Sequence, residues 1–286
     1  MNFKNVNLAP GLYFVATPIG TARDITLRAL DVLASAEVLA AEDTRSLRKL
    51  MEIHGVPLGG RRIIAYHDHS GEGARAKLMA ALAEGKSLAY ASEAGMPLIA
   101  DPGYGLSRAA SEAGHLVTAA PGATAAVTAL TLAGLPTDAF FFAGFLPNAA
   151  GARRKRLEEL REVPGTLVFY ESPKRVAASV ADMAAVLGNR PAALARELTK
   201  KFEEVRRAPL EELATGLETA PVKGEIVLLV DRAAAAEASD GDIEADLRAA
   251  LGANSVKDAA AIVAETHGLP RRKVYQLALQ LAKDEG

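Results

Sequence analysis

The chain has 286 residues, of which 50% are hydrophobic and 24% are charged, with a formal net charge of −2; this is the balance of a globular protein with one large domain or two ordinary ones. It contains no cysteine, which excludes disulfides, thiolate metal sites and cysteine nucleophiles. Neither a secretory signal nor an apolar run of about 18 residues stands in the sequence, so we expect a cytoplasmic protein without a membrane span.

The first 121 residues alternate short apolar runs with helical stretches. The predicted strands are Gly11–Ala16, Glu37–Ala41, Arg62–Ala65, Ser87–Ala91 and Leu116–Ala119, and the predicted helices between them are Thr26–Ser35, Thr44–His54, Gly73–Ala83 and Gly105–Ala113. Short apolar strands separated by helices favour a mostly parallel sheet that is covered on both faces. The pattern therefore predicts an N-terminal α/β domain over residues 1–121.

The pattern changes after Pro121. The predicted helices are Ala123–Ala133, Ala152–Arg161 and Val176–Leu187, and the predicted strands are Phe140–Gly144, Gly165–Tyr170, Ala192–Leu198, Phe202–Ala208 and Glu225–Val230. The last two strands could pair antiparallel, which makes a mixed sheet. We predict a second α/β domain over residues 122–232.

Residues 233–286 form a linker and a small helical domain in this interpretation. The alanine-rich, acidic stretch 233–242 is typical of a linker. Ser255 can cap a helix that runs to about Thr266, a turn follows, and a second helix runs to about Leu281. This is the outline of a helix-turn-helix, although an ordinary helical hairpin has the same outline.

Loops suited to a small ligand follow four of the predicted N-terminal strands. They are 17–20, 42–45, 92–105 and 120–125, and they are rich in glycine, proline, small and acidic residues. In parallel α/β sheets, ligands bind beyond the carboxyl ends of the strands, and glycine lets the backbone approach them closely. No dinucleotide fingerprint, P-loop or nucleophile elbow is present. His67-Asp68-His69 has metal-ligand residue types, but nothing nearby completes a site, so we predict no metal.

Two predicted strand ends of the second domain are charged. They are Phe169–Arg175 and Arg196–Glu204, and each is compatible with a salt-bridge network or with a cleft for a phosphate-bearing substrate. Basic clusters stand at Arg153–Arg156, Arg196 with Lys200-Lys201, Arg206-Arg207 and Arg271–Lys273. Such clusters are usually solvated helix faces, but they could also contact a nucleic acid.

Long motifs in a fixed order carry a family resemblance. They are Val15–Gly20, Asp24–Leu30, Ala41–Arg45, Ala94-Gly95, Asp101–Tyr104, Leu135–Asp138, Gly144–Pro147, Phe169–Pro173 and Arg196–Lys200. With them the sequence resembles the bacterial ribosomal RNA small-subunit methyltransferase I family, which belongs to the tetrapyrrole-methylase-like methyltransferases. The likeness covers roughly residues 12–230, and the tail resembles that family's C-terminal extension. That family usually has Asp, Thr and His where Glu93, Met96 and Lys174 stand here.

The resemblance implies a function. It implies S-adenosylmethionine-dependent 2′-O-methylation of a cytidine in the decoding region of 16S ribosomal RNA, with the small ribosomal subunit as partner. It also implies a cofactor cleft between two α/β domains, and a homodimer. The implied cofactor contacts are Ile19, Asp101, Tyr104, Thr124, Ala125 and Tyr170.

A ribose hydroxyl is a poor nucleophile, so a base or a nearby cation should assist it. The candidates are Glu171, Glu197, Lys200, Asp43 and Arg45, which the sequence does not rank. Two alternatives stay open: a methylase of the same class that acts on a corrin or porphyrin precursor, and a non-enzymatic RNA-binding adaptor. Several basic clusters and few aromatic residues favour RNA over a tetrapyrrole.

Overall fold

The chain divides into two compact units, residues 1–232 and 233–286. The computed structural model describes residues 2–67, 72–100, 102–233 and 240–284. Within these ranges, no helix combines the length and the apolar character that a bilayer crossing requires.

Five parallel strands form the first sheet of the larger unit, in the order β3-β2-β4-β1-β5. The elements are β1 (Gly11–Val15), α1 (Leu27–Ser35), β2 (Val38–Ala41), α2 (Thr44–Ile53), β3 (Ile63–Ala65), α3 (Glu72–Ala83), β4 (Ser87–Ala91), α4 (Tyr104–Glu112) and β5 (Val117–Ala120). Every residue of the central strands β1 and β4 is buried, as expected for a sheet covered on both faces. The Thr26 hydroxyl caps α1 by accepting from the Ala29 amide.

The second sheet is mixed and has the order β6-β7-β10-β8-β9. The elements are α5 (Ala125–Ala133), β6 (Phe140–Phe145), α6 (Ala150–Leu160), β7 (Thr166–Glu171), α7 (Val176–Leu187), β8 (Pro191–Arg196), β9 (Glu204–Pro209), α8 (Leu210–Thr219) and β10 (Ile226–Val230). β6 runs parallel to β7, whereas β10 is antiparallel to both of its neighbours. The small residues Ala126 and Ala129 of α5 pack on Val168 and Val227, so this helix covers one face of the second sheet.

Two elements and one strand pairing of the larger unit differ from the sequence prediction. The last two predicted strands do not pair with each other, because β8 lies between them in the sheet and pairs with both. β9 begins at Glu204 rather than Phe202, because a turn occupies the preceding residues: the Lys200 amide donates to the Glu197 carbonyl, and the Glu203 amide to that of Lys200. Helix α8 was not predicted at all. Its three buried leucines, Leu210, Leu213 and Leu217, have helical spacing and were the signal that could have revealed it.

The described part of the smaller unit, residues 233 and 240–284, contains three helices, α9 (Asp240–Leu251), α10 (Val256–Thr266) and α11 (Arg271–Asp284). The predicted linker 233–242 ends inside α9, which the sequence analysis missed. The Ser255 hydroxyl caps α10 as predicted by accepting from the Asp258 amide. Leu247, Val263 and Val274 come from the three helices and share one hydrophobic core. A short turn through Gly268 joins α10 to α11, which gives this unit the helix-turn-helix outline.

Three of the four cations in the basic cluster Arg153–Arg156 are paired with carboxylates of the protein itself. Asp182 is buried and accepts from Arg153 Nε at 2.6 Å and from Arg154 Nε at 2.6 Å. The Arg153 side chain is itself only 7% exposed. Arg156 pairs with Glu159 at the surface. The cationic charge of three of these residues is therefore matched locally by carboxylates.

We predict that Asp182→Ala lowers the free energy of unfolding by about 3–5 kcal/mol, because it leaves a buried guanidinium without its counter-charge. Chemical denaturation followed by circular dichroism measures this loss. The control is Glu159→Ala, which removes the exposed partner of Arg156 and should change the free energy by less than about 1 kcal/mol. Equal, small losses for both variants would contradict the structural role of Asp182.

Candidate active site between the two sheets

The loops that follow β1 and β4 are joined by backbone hydrogen bonds. The Thr17 amide donates to the Gly95 carbonyl at 2.9 Å, and the Gly95 amide donates back to the Thr17 carbonyl at 3.0 Å. Ser92 Oγ donates to the same Gly95 carbonyl at 3.0 Å. Gly95 has a φ of +82°, a conformation that favours glycine. The two loops thus form one rigid edge at the carboxyl ends of the strands.

This edge meets a loop of the second sheet at Gly20. The Thr21 amide donates to Thr199 Oγ1 at 3.1 Å. A Cβ atom on Gly20 would lie 2.4 Å from Thr199 Oγ1 and 2.7 Å from the Leu198 carbonyl oxygen, so only glycine permits the approach. The two sheets are therefore brought together at a contact between two backbones.

The loop 197–203 on the second side is strained and ion-paired. Glu197 and Thr199 have φ values of +51° and +61°, which cost about 1–3 kcal/mol each for residues other than glycine. Lys200 Nζ lies 3.1 Å from Glu197 Oε1 and 2.5 Å from Glu225 Oε2. Strained residues persist only where the surrounding structure fixes them, and they cluster at functional sites.

The protonation states of this cluster follow from the same contacts. Hydrogen bonds from the Glu225 amide and from Lys200 lower the pKa of Glu197. Burial alone would lower the pKa of Lys200, but its hydrogen bonds with Glu225 and Glu197 outweigh that effect and raise it. Glu197 is therefore anionic and Lys200 cationic at neutral pH.

A cavity of about 380 Å³ lies between the two sheets, behind this contact. Its lining includes the apolar residues Ile19, Met96, Ile99, Phe145, Leu198, Ile226 and Val227. It also includes four glutamates, Glu42, Glu93, Glu171 and Glu225, and no lysine or arginine among the described lining residues. Lys200 pairs with Glu225 and Arg175 pairs with Glu171, which leaves the carboxylates of Glu42 and Glu93 to give this apolar cavity its negative charge. Such a cavity suits a ligand that carries positive charge.

The beginning of helix α5 adds a place for a negative group in the same cavity. Thr124 and Ala125 line it, and the Thr124 side chain makes no capping hydrogen bond. The Ala126 amide donates to the Tyr170 hydroxyl at 3.2 Å. Unpaired amides and the helix dipole favour an anion at such an end. The cavity as a whole thus suits a ligand that carries both signs of charge, with positive charge in excess.

Comparison with known proteins gives the family. A family model described as Tetrapyrrole (Corrin/Porphyrin) Methylases matches residues 11–214, and a model described as RsmI C-terminal HTH domain matches residues 237–282. A Mesorhizobium japonicum protein named ribosomal RNA small subunit methyltransferase I is 46% identical, over 98% of this chain and 95% of the relative. The chain belongs to the ribosomal RNA small subunit methyltransferase I family.

Solved structures agree with this fold at low sequence identity. A diphthine synthase covers 77% of this chain and 89% of its own, at 14% identity and a TM-score of 0.60. A Thermus thermophilus uroporphyrin-III C-methyl transferase, complexed with S-adenosyl homocysteine, covers 77% and 97% at 20% identity and a TM-score of 0.53. The prediction of a tetrapyrrole-methylase-type α/β fold with a helical tail is confirmed.

The structure brings together four of the residues to which the methyltransferase I resemblance assigned cofactor contacts. Ile19, Thr124, Ala125 and Tyr170 line the cavity between the sheets. Tyr104 is the first residue of α4, is 69% exposed, and is not among the described residues that line this cavity. Asp101 lies outside the described residues, as do Asp68 and His69 of the histidine motif.

Glu171, a candidate base, is enclosed by the protein. Its side chain is 1% exposed and accepts from Ser179 Oγ at 2.6 Å and from the Ser172 amide at 2.8 Å. It also accepts from Arg175, which donates to the Leu146 carbonyl at 2.5 Å. This geometry suits a residue that positions the end of β6, where Phe145 lies on the cavity wall.

Asp43 and Arg45 lie on the other side of the cleft, at the start of α2. Asp43 Oδ1 accepts from the Arg45 amide at 2.7 Å and from the Ser46 amide, so it caps the helix. These amides, the Arg45 one first, lower the pKa of Asp43. The Arg45 side chain is 92% exposed. The five candidate catalytic residues therefore do not form one cluster.

Glu42 and Glu93 are cavity residues that sequence reasoning did not select. The Glu93 amide donates to Glu42 Oε2 at 3.3 Å, which joins the ends of β2 and β4. Both are carboxylates at the ends of adjacent parallel strands, and this placement was the available signal. Among the described residues, no group of three or more His, Asp or Glu could hold a metal ion.

We predict that Gly224→Ala destabilises the protein more than Gly188→Ala does. Both glycines have positive φ, +92° and +84°, so alanine is strained at either position. A Cβ on Gly224 would lie 2.4 Å from Glu197 Cδ, whereas one on Gly188 meets no atom of the described residues within 4 Å. The additional loss in unfolding free energy should be about 1–3 kcal/mol by denaturant titration. Equal losses would show that Glu197 moves aside freely.

Proposed function

We propose that this protein transfers a methyl group from S-adenosylmethionine to the ribose 2′-oxygen of a cytidine in the decoding region of 16S ribosomal RNA. The proposal depends on one observation, the cavity between the sheets. Carboxylates line this cavity, and so do the first residues of helix α5 with their backbone amides. The family supports RNA as the substrate, because a relative 46% identical is named ribosomal RNA small subunit methyltransferase I. As an enzyme that acts on ribosomes, it would work in the cytoplasm.

The cavity residues fit the charges of S-adenosylmethionine. Its sulfonium and ammonium groups are positive, and Glu42, Glu93 and Glu225 line the cavity. Its carboxylate suits the amides at Thr124 and Ala125, and its apolar parts suit Ile19 and its neighbours. When bound, this donor supplies a methyl group that is already activated by the sulfonium charge.

The chain then has to align the acceptor oxygen and exclude water. Alignment of two reactants lowers the barrier substantially, so rigid walls are valuable in this site. Glu197 and Lys200 hold loop 197–203 against Gly20, and Glu171 with Arg175 holds the end of β6, where Phe145 lies. We assign these four charged residues to positioning, because their ionic groups are engaged within the protein.

The helical tail is a second RNA-binding element in this proposal. Arg271, Arg272 and Lys273 are exposed in the first turn of α11. In helix-turn-helix proteins the second helix contacts nucleic acid, and cations at its start can neutralise phosphates. This placement supports the interpretation of the Arg271–Lys273 cluster as an RNA contact.

The homodimer implied by the resemblance is also a proposal. β6 lies at an edge of the second sheet, and Phe140, Phe141 and Phe145 on it are 47%, 38% and 56% exposed. An apolar edge strand is normally covered by a partner in a protein that stays in solution. The simplest partner that could cover this strand is a second copy of the chain. Light scattering, which gives the molar mass in solution, tests for this dimer.

Two measurements test the proposed function, one of the modification of the RNA and one of the binding of the donor. Mass spectrometry of 16S ribosomal RNA from a strain without this protein should show the loss of one 2′-O-methylated cytidine, which the purified protein and S-adenosylmethionine restore. Calorimetry should detect binding of the donor. Tyr170→Phe should weaken donor binding about 5-fold, because the hydrogen bond that fixes this cavity-lining ring to the Ala126 amide is lost, whereas the exposed Tyr275→Phe should not change it.

The outcomes separate the alternatives. Identical RNA modifications in the two strains, with donor binding intact, would contradict RNA as the substrate and favour a small-molecule acceptor. Absence of donor binding would contradict methyl transfer altogether.

Replacing Arg271, Arg272 and Lys273 together by glutamine should weaken RNA binding and leave donor binding unchanged. Equal effects on both ligands would assign the tail a structural role only.

A further inference from the structure

A second cavity, of about 520 Å³, adjoins the first on the side of α2. Its described lining residues come from the loops after β1, β2 and β4 and from one face of α2; they are Thr17, Pro18, Gly20, Ala22, Asp43, Arg45, Ser46, Leu47, Lys49, Leu50, Ile53, Ser92 and Glu93. Glu93 lines both cavities, so it stands at their boundary. A molecule in one cavity can therefore meet a molecule in the other beside this carboxylate.

One face of α2 gives the second cavity its character. Arg45, Lys49 and Ile53 follow one another at intervals of four residues and so lie on the same face of the helix. The side chains of Arg45 and Lys49 are 92% and 72% exposed. Their nearest carboxylates lie at 3.6 Å and 3.9 Å, in surface pairs that contribute little energy. Both cations are therefore available to a ligand.

The two cavities differ in the cations that border them. No lysine or arginine stands among the described lining residues of the first cavity, whereas the second has the exposed Arg45 and Lys49 on one wall, together with the carboxylates Asp43 and Glu93. Phosphates of a polyanion can pair with these two exposed cations. Pro18, Leu50 and Ile53 add apolar surface on which the face of a base could pack.

We propose that the second cavity binds the target nucleotide of the RNA strand. Arg45 and Lys49 neutralise phosphates that flank this nucleotide, and its ribose lies at the boundary, where a hydroxyl donates a hydrogen bond to the Glu93 carboxylate. No hydrogen bond or ion pair to this carboxylate is found within the described residues, so it is open to a ligand. This inference rests on the proposed function and adds to it the place of the RNA substrate.

The first test is the salt dependence of RNA binding. Arg45→Gln combined with Lys49→Gln in the full chain should weaken the affinity for a 16S decoding-region RNA about 10-fold or more near 0.1 M salt. The slope of the logarithm of affinity against the logarithm of salt concentration should fall by about 2, one for each lost phosphate contact. Arg48→Gln is the control, because Arg48 is exposed on the same helix but is not among the described lining residues.

The second test is Glu93→Gln, measured in three ways. The affinity for S-adenosylmethionine should fall, because the variant removes one of the carboxylates that line the donor's cavity, so the rate is measured with saturating donor. The affinity for RNA should change by less than about 3-fold, since the amide keeps the shape and remains an acceptor. The single-turnover rate of methylation should fall about 100-fold if this carboxylate contacts the reacting hydroxyl. An unchanged rate would show that the Glu93 carboxylate does not contact the reacting hydroxyl.

The results also separate this inference from the proposed function. If wild-type protein binds the donor and methylates RNA, but the Arg45/Lys49 variant keeps the wild-type salt slope, the RNA lies elsewhere and the inference is wrong. If the variant loses donor affinity as much as RNA affinity, α2 supports the fold and does not contact RNA. If wild-type protein binds no donor, the proposed function itself fails.

Discussion

The close approach of Gly20 to loop 197–203 is the contact on which the rest of the site depends. The cavity between the two sheets is the one proposed to bind S-adenosylmethionine, and we call it the donor cavity. The first sheet supplies one wall of it and the second sheet supplies the other, so the cavity exists only while the two sheets are held together. The Thr21 amide and Thr199 Oγ1 make a hydrogen bond across this contact. The strain at Glu197 and Thr199 is the energetic cost of presenting that loop, and the Glu197–Lys200–Glu225 ion pairs offset it.

A separation of charge within the site organises its function. The whole chain has a net charge of only −2, which gives no hint of a polyanion partner. Locally, however, carboxylates line the donor cavity, while the exposed cations Arg45 and Lys49 border the second one beside Asp43 and Glu93. A cationic donor and an anionic strand would each find a matching wall and would meet at Glu93. Local electrostatics, rather than the average, therefore explains how one cleft could serve two substrates of opposite charge.

The sequence predicts the sheets well because apolar strands and helix caps are local signals. The runs Gly11–Ala16 and Ser87–Ala91 became buried parallel strands, and Thr26 and Ser255 became caps. Arg153 shows the limit: in the sequence it belongs to a basic cluster, whereas the fold buries it against Asp182, 29 residues away. No local pattern reports such a distance.

The site was less predictable than the fold, because its residues come together from distant parts of the sequence. The resemblance led to Ile19, Thr124, Ala125 and Tyr170, which the fold places around one cavity. The positive φ of Glu197 depends on tertiary contacts, including the glycine at 224 that makes room for its carboxylate. The position of Glu93 at the boundary of the two cavities is evident only from the structure, since the residues around it come from the ends of several strands.

The most direct measurement of the central claim is the affinity of Gly20→Ala for S-adenosylmethionine. The added Cβ would lie 2.4 Å from Thr199 Oγ1 and 2.7 Å from Lys200 Cγ, so the two sheets must move apart. Overpacking of about 1–3 kcal/mol predicts an affinity weakened about 10-fold, with the circular dichroism of the folded protein retained. Gly151→Ala, where the new Cβ meets no atom within 4 Å in the part of the chain that the structure describes, should bind as the wild type does. Wild-type affinity in Gly20→Ala would contradict the account.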